Sequence, residues 1–217
     1  MAVELYDEHE QSERVRSWIR EYGMSLVMGL VLAFAGIFGF RYWQDQQTIQ
    51  RSLAAEYFSV IQRELGNDQL DFAEEQFQAM REAVDSNAYT ALAALLMAGA
   101  YIEDGRLQPA ADLYREILAN KRAEFLWAST SLRLARVLQA QGELDEALAL
   151  LDGEAPTGFQ GAWAETRGDL LLAQGNRDEA RAAFQEALDN PSGQGASRGL
   201  IQLKIDSTGP GVNGETS

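Results

Sequence analysis

A single histidine and no cysteine leave this chain of 217 residues little with which to build a reactive centre. His9 lies in an acidic leader, so no His-His metal pair, Ser-His couple or Cys-His couple can be assembled. Carboxylates are the abundant ionisable type. Adjacent pairs such as Glu74 with Glu75 and Asp145 with Glu146 are the raw material of acid-base catalysis, but their setting suits solvated helix faces and first helical turns, where the helix dipole favours negative charge. The run "GPGVNG" at 209–214 satisfies G-x-G-x-x-G letter for letter. No strand precedes it and no helix follows, so a dinucleotide site is not expected. The sequence therefore predicts no enzyme, no metal and no cofactor, and binding is the function that remains.

The elements that would position binding residues repeat along the chain. A small residue is followed four later by a large apolar one at Ala73 and Phe77, Ala110 and Tyr114, Ala147 and Leu151, and Ala180 and Phe184. Five residues before each Ala stands a turn former, Asp68, Gly105, Gly142 and Gly175. Each unit reads as a helix, a tight turn and a second helix. In "AETRGDLLLAQGNRDEARAAFQEALDNP" the residues Gly168, Leu171, Gly175, Ala180, Phe184 and Ala187 have the spacing of the tetratricopeptide repeat, with Pro191 near its terminal proline. Gly168 and Ala180 are small where the two helices approach, and Leu171 and Phe184 fill the space beside them. Looser copies place Ala135 and Ala98 at the close-approach position. A generic helical bundle would carry some of the same residues, but the spacing favours a solenoid.

The predicted helices lie near 69–85, 88–104, 107–120, 124–141, 144–152, 160–174, 177–189 and 195–206, the last an apolar cap carrying Leu200, Ile201, Leu203 and Ile205. Stacked hairpins form a concave surface. Projecting the repeat register places Ile102, Glu103, Arg136, Gln139, Glu165 and Asp169 toward it as contact candidates. The basic and Asn positions that clamp a terminal carboxylate in some repeat domains are absent from this register.

Residues 22–40, within "EYGMSLVMGLVLAFAGIFGFRYW", carry no charged side chain and approach the ~20 apolar residues that cross a bilayer as a helix. Tyr22, Tyr42 and Trp43 flank the run as interfacial aromatics. A cleaved signal peptide would need a short basic leader, and this one is acidic and long. A buried core helix would need apolar surroundings on every side. Arg14, Arg16 and Arg20 before the run, against Arg41 and Arg51 after it, lean toward an N-terminus inside. Val15, Trp18, Ile19 and Tyr22 share one helical face that suits the membrane interface. Gly29, Ala33 and Gly36 share another, where a second membrane helix could approach closely.

The net charge is −15, from 18 Lys and Arg against 33 Asp and Glu, most of the excess lying beyond residue 44. That balance disfavours nucleic acid, whose phosphates require basic groups, and suggests a basic or neutral partner surface. No small-molecule substrate is expected. The expected organisation is an acidic leader over 1–21, a transmembrane helix over 22–43, an all-α tetratricopeptide-like solenoid over 44–206 and a disordered tail over 207–217.

The combination of the Gly39 to Trp43 end of the span with "LRLARV" (132–137) and "RGDLLLAQGNRDEARAAF" resembles the bacterial YfgM family, ancillary subunits of the SecYEG translocon. The resemblance covers nearly the full chain. It implies an inner-membrane protein with a cytoplasmic N-terminus and a periplasmic repeat domain, associated with the SecYEG channel and the membrane-anchored chaperone PpiD. The function it implies is that of an adaptor. A membrane-tethered scaffold of the envelope or division machinery is the alternative.

Overall fold

The computed structural model describes residues 4–84, 86–190 and 196–209, with side chains from Arg16 onward except Ser17, Ile19 and Leu26. The side chain of His9, the leader face through Val15 and Ile19, Pro191 and the "GPGVNG" run beyond Gly209 lie outside the described residues. The chain divides into two compact units, Met1–Ser52 and Leu53–Ser217.

All regular structure among the described residues is helical. Helix α1 (Glu4–Gly66) is followed by α2 (Leu70–Ala83), α3 (Ala88–Glu103), α4 (Leu107–Ala119), α5 (Trp127–Gln141), α6 (Leu144–Leu150), α7 (Gln160–Ala173), α8 (Arg177–Asp189) and α9 (Arg198–Ser207). In the first unit α1 carries the apolar run uncovered: none of it is buried within the chain. Leu32, Phe38 and Phe40 all stand exposed. A helix that is apolar on every side and covered by nothing of its own chain requires an apolar solvent. It is also long and apolar enough to span a membrane.

In the second unit the helices pair as α-hairpins, beginning with the last stretch of α1 against α2, where Ala54 and Ile61 are buried. The repeat is built from its turns. Asp68, Gly105, Gly142 and Gly175 all adopt positive φ, at 58°, 77°, 84° and 89°. Each lets the following N–H reach back to the carbonyl five residues earlier: Gln69 to Glu64, Arg106 to Tyr101, Glu143 to Leu138 and Asn176 to Leu171, over 2.7–2.9 Å. This is the Schellman closure that a left-handed residue permits. The next helix then starts at once, and Ala73, Ala110, Ala147 and Ala180 each donate an N–H to the carbonyl of the residue just after the turn former. All four alanines are fully buried, as are Phe77, Tyr114, Leu151 and Phe184 one turn later. Burying such a large side chain stabilises the fold by ~1.5–3 kcal/mol relative to its exposure.

Close packing explains Gly168. A Cβ there would stand 2.5 Å from Cε1 and 2.6 Å from Cδ1 of Phe184. At the corresponding positions of the two preceding hairpins, Ala98 and Ala135 are fully buried.

Two features depart from the expected helices. The segment expected to open a helix at 124 is instead a 3-10 helix, Lys121–Leu126, with Ala123 off helical geometry, so α5 begins at Trp127. Asn120 causes this by accepting the Arg122 N–H at 3.0 Å with its side chain and the Ala123 N–H at 2.9 Å with its carbonyl. Helix α6 closes at Leu150, two residues early. The Leu151 carbonyl accepts the indole N–H of Trp163 at 2.9 Å, and the Trp163 ring packs on Trp127.

Polar side chains tie the hairpins together. Arg115 of α4 bonds Glu146 of α6 at 2.8 Å, and Arg106 bonds Glu74 of α2 at 3.3 Å. These pairs are well exposed and worth ~0–1 kcal/mol each. Their effect is on register more than on stability.

Candidate functional site

The first helices of successive hairpins, α3, α5 and α7, carry the six contact candidates. Three of them meet. Ile102 and Glu103 at the end of α3 and Arg136 on α5 line one open cleft of about 340 Å³, together with Gly99, Leu107, Tyr114, Arg133, Val137 and Ala140. Ile102 and Arg136 are exposed, and the walls between the charged groups are apolar. The cleft exists because α3 and α5 are joined through α4: Tyr114 of α4, fully buried, forms part of its lining. Burial raises the Tyr114 hydroxyl above its ordinary pKa, against a lowering by the neighbouring Arg133 guanidinium.

The other three candidates serve the solenoid. Gln139 donates from Nε2 to the backbone carbonyl of Asp169 at 3.4 Å, and Arg136 reaches Thr166 Oγ1 at 3.5 Å, so α5 is bridged to α7. Glu165 is buried, accepting the Ala196 N–H at 2.6 Å and bonding Lys204 of α9 at 2.7 Å. Asp169 also bonds Lys204 Nζ at 2.7 Å. The register that directs Glu165 and Asp169 toward the concave surface is followed by a helix that covers them. Burial raises the Asp169 carboxyl above its ordinary pKa, with Lys204 opposing. For Lys204, burial acts to lower the pKa, but the bonds to Asp169 and Glu165 outweigh it and the group is raised.

Arg133 is the cleft residue that the register did not single out. It stands three positions before Arg136, on the same face of α5. Spacing alone signals it, and the repeat register hides it because Thr166 occupies the corresponding place on α7.

In the first unit Gly29, Gly36 and Gly39 have open space where a side chain would be, with no atom within 4 Å. Phe34 and Phe38 pack ring to ring along the helix at 6.3 Å, as do Trp18 and Tyr22 at 6.0 Å. Among the described residues no group of three His, Cys, Asp or Glu is arranged to hold a metal ion.

Residues 16–209 match the family of the tetratricopeptide repeat-like domain. The ancillary SecYEG translocon subunit of Escherichia coli is 31% identical over 94% of this chain and 98% of its own length. That of Aggregatibacter actinomycetemcomitans is 29% identical over 92% and 97%, and that of Neisseria gonorrhoeae 25% over 95% and 99%. Among solved structures, MamA aligns with a TM-score of 0.53 at 19% identity, over 63% of this chain and 77% of that one. The tetratricopeptide-like repeats of a Podospora kinesin light chain, spelled Podosopora in their description, align at 0.53 and 17%, over 71% and 84%. At these identities the two structures speak for the fold alone.

Proposed function

Because the chain belongs to the tetratricopeptide repeat-like family of ancillary SecYEG translocon subunits, we propose that it is an inner-membrane adaptor of the translocon. In this reading α1 anchors it with the N-terminus in the cytoplasm, and the repeat domain stands in the periplasm. The hairpin array links the channel to periplasmic chaperones for exported proteins, PpiD among them, by protein-protein binding. The likeness to an ancillary SecYEG translocon subunit over 94% of the chain is the observation that carries it. The fold is one of protein interaction, and the family is not one of known enzymes.

Two surfaces suit the role. The cleft between α3 and α5 is open and partly apolar. The face of Gly29, Ala33 and Gly36 offers a membrane helix of the channel a close approach, since its glycines meet nothing within 4 Å.

Purification of the full-length protein from its own membranes in mild detergent, with mass spectrometry of what it retains, tests the reading. The SecYEG subunits and a membrane-anchored periplasmic chaperone are expected. Recovery of envelope or division components without the channel would replace this reading with that of a scaffold.

A further inference from the structure

The boundaries between successive first helices are not built alike. Arg136 and Gln139 bridge α5 to α7, and Lys204 bridges α7 to α9. Among the described residues no hydrogen bond or ion pair between side chains joins α3 to α5, and there the cleft of about 340 Å³ opens. Its size falls within the range of pockets that hold ligands.

The charge of this cleft runs against that of the chain. Arg133 and Arg136 lie three apart on one helical face, a spacing at which like charges repel. Neither takes part in an ion pair among the described residues, whereas Arg106, Arg115 and Arg167 each hold a carboxylate. Glu103 is the single carboxylate of the described lining. In a protein of net charge −15, two guanidiniums left side by side without a counter-charge are not explained by the fold. Beside them Ile102, Leu107 and Val137 supply apolar surface.

Gly99 is a second, independent observation. It sits inside α3, where glycine weakens a helix relative to alanine. Its backbone is ordinary helix and a Cβ there would meet nothing within 4 Å, so neither the turn nor the packing calls for glycine. Without a side chain, the wall of the cleft is open to close approach from outside.

We infer that this cleft takes a protein segment in which a side-chain carboxylate stands beside a large apolar residue. The carboxylate meets Arg133 and Arg136, the apolar side chain rests on Ile102, Leu107 and Val137, and the segment passes over Gly99. The inference rests on the protein-binding reading above and specifies the chemistry of the partner. It also qualifies the expectation of a basic or neutral partner: the acidic surface as a whole favours such a surface, but this cleft selects an acidic and apolar segment.

The test is fluorescence anisotropy with the full-length protein in detergent micelles and a labelled, end-capped peptide Gly-Ser-Leu-Glu-Glu-Leu-Gly-Ser. A twin in which both Glu are Gln is the comparison. The Glu peptide is expected to bind about tenfold more tightly than its twin, as charge-assisted hydrogen bonds imply, and more weakly as salt rises. Arg133→Gln with Arg136→Gln should erase the difference between the peptides. Gly99→Leu, which fills open space without touching the core, should block both. Equal binding of the two peptides, no binding of either, or an unchanged preference in the double Gln variant overturns the inference. If the double variant fails to fold by circular dichroism, Gly99→Leu decides: unchanged binding overturns the inference and lost binding upholds it. Retention of the channel by the wild-type protein is scored separately. Its absence refutes the adaptor reading, whereas lost peptide discrimination with the channel retained refutes this inference alone.

Discussion

Replacing Gly168 by alanine asks whether close helix approach is what the repeat spacing encodes. Gly168 lies within α7, so alanine gains ~0.8–1 kcal/mol of helix propensity. Against this, the new Cβ falls 2.5, 2.6 and 3.1 Å from three atoms of the Phe184 ring. That ring is fully buried, with Ala164, Ala180, Ala187, Ile201 and Ile205 in the same apolar cluster, so it cannot swing aside without moving α8 or α9. Overpacking of this kind costs ~1–3 kcal/mol. The balance is a net loss of ~1 kcal/mol, or about 2–4 °C in melting temperature for a domain of this size. Gly99→Ala is the control. It has the same propensity gain and nothing within 4 Å, so it should stabilise by ~0.4–1 kcal/mol. Far-UV circular dichroism of both full-length variants, melted side by side in detergent, reads the difference. Adding Phe184→Leu should recover part of the loss in the Gly168→Ala background, because the shorter side chain vacates the ring's space. If Gly168→Ala melts with or above Gly99→Ala, close approach is not the reason for glycine and the packing argument fails.

Lys204→Met leaves Glu165 buried beside Asp169 without its cation, so a loss of ~2–3 kcal/mol is expected, somewhat below that of a fully buried pair because Lys204 is 23% exposed; a melt equal to wild type would discount the pair. The raised pKa of Lys204 means that its contribution is complete below the unfolded value of ~10.4 and disappears as pH climbs through the higher folded value, and the Met variant should lose that alkaline step. Asp169 is also raised, so its part is present when protonated, at pH below the ordinary carboxylate value, and already lost at neutral pH. Gly142→Ala forces a side chain onto φ of 84° and should cost ~1–2 kcal/mol in a chemical unfolding curve, while Asp68→Gly at φ of 58° should gain stability; the same sign for both would contradict the turn geometry. Gly29→Leu with Gly36→Leu should reduce co-purification of the channel without altering the melt of the repeat domain, and undiminished recovery removes the helix-docking role.

The repeat was legible because its constraints are local. A left-handed turn residue and a small residue five later are imposed by backbone geometry, and both survive where the rest of the repeat has degenerated, as at Asp68 and Ala73. The 3-10 helix at Lys121–Leu126 was not legible, because it depends on side-chain and backbone bonds of Asn120 that apolar periodicity does not register. Nor was the cover over Glu165 and Asp169, since Lys204 comes from 35 to 39 residues away and a register projected from one hairpin contains no later helix. Ile102, Glu103 and Arg136 were reachable because each sits on a first helix with nothing later laid across it. Arg133 was missed for the converse reason: it is visible as a neighbour of Arg136 on one helix, not as a member of a repeat.

The central claim is an anchored repeat protein standing beside the translocation channel. Its most direct test is photocrosslinking in intact cells from a benzophenone amino acid at Tyr42 or Trp43, both exposed at the end of the apolar run. Adducts with the channel subunits are the predicted result. Adducts confined to envelope or division proteins, or none from either position, would contradict it.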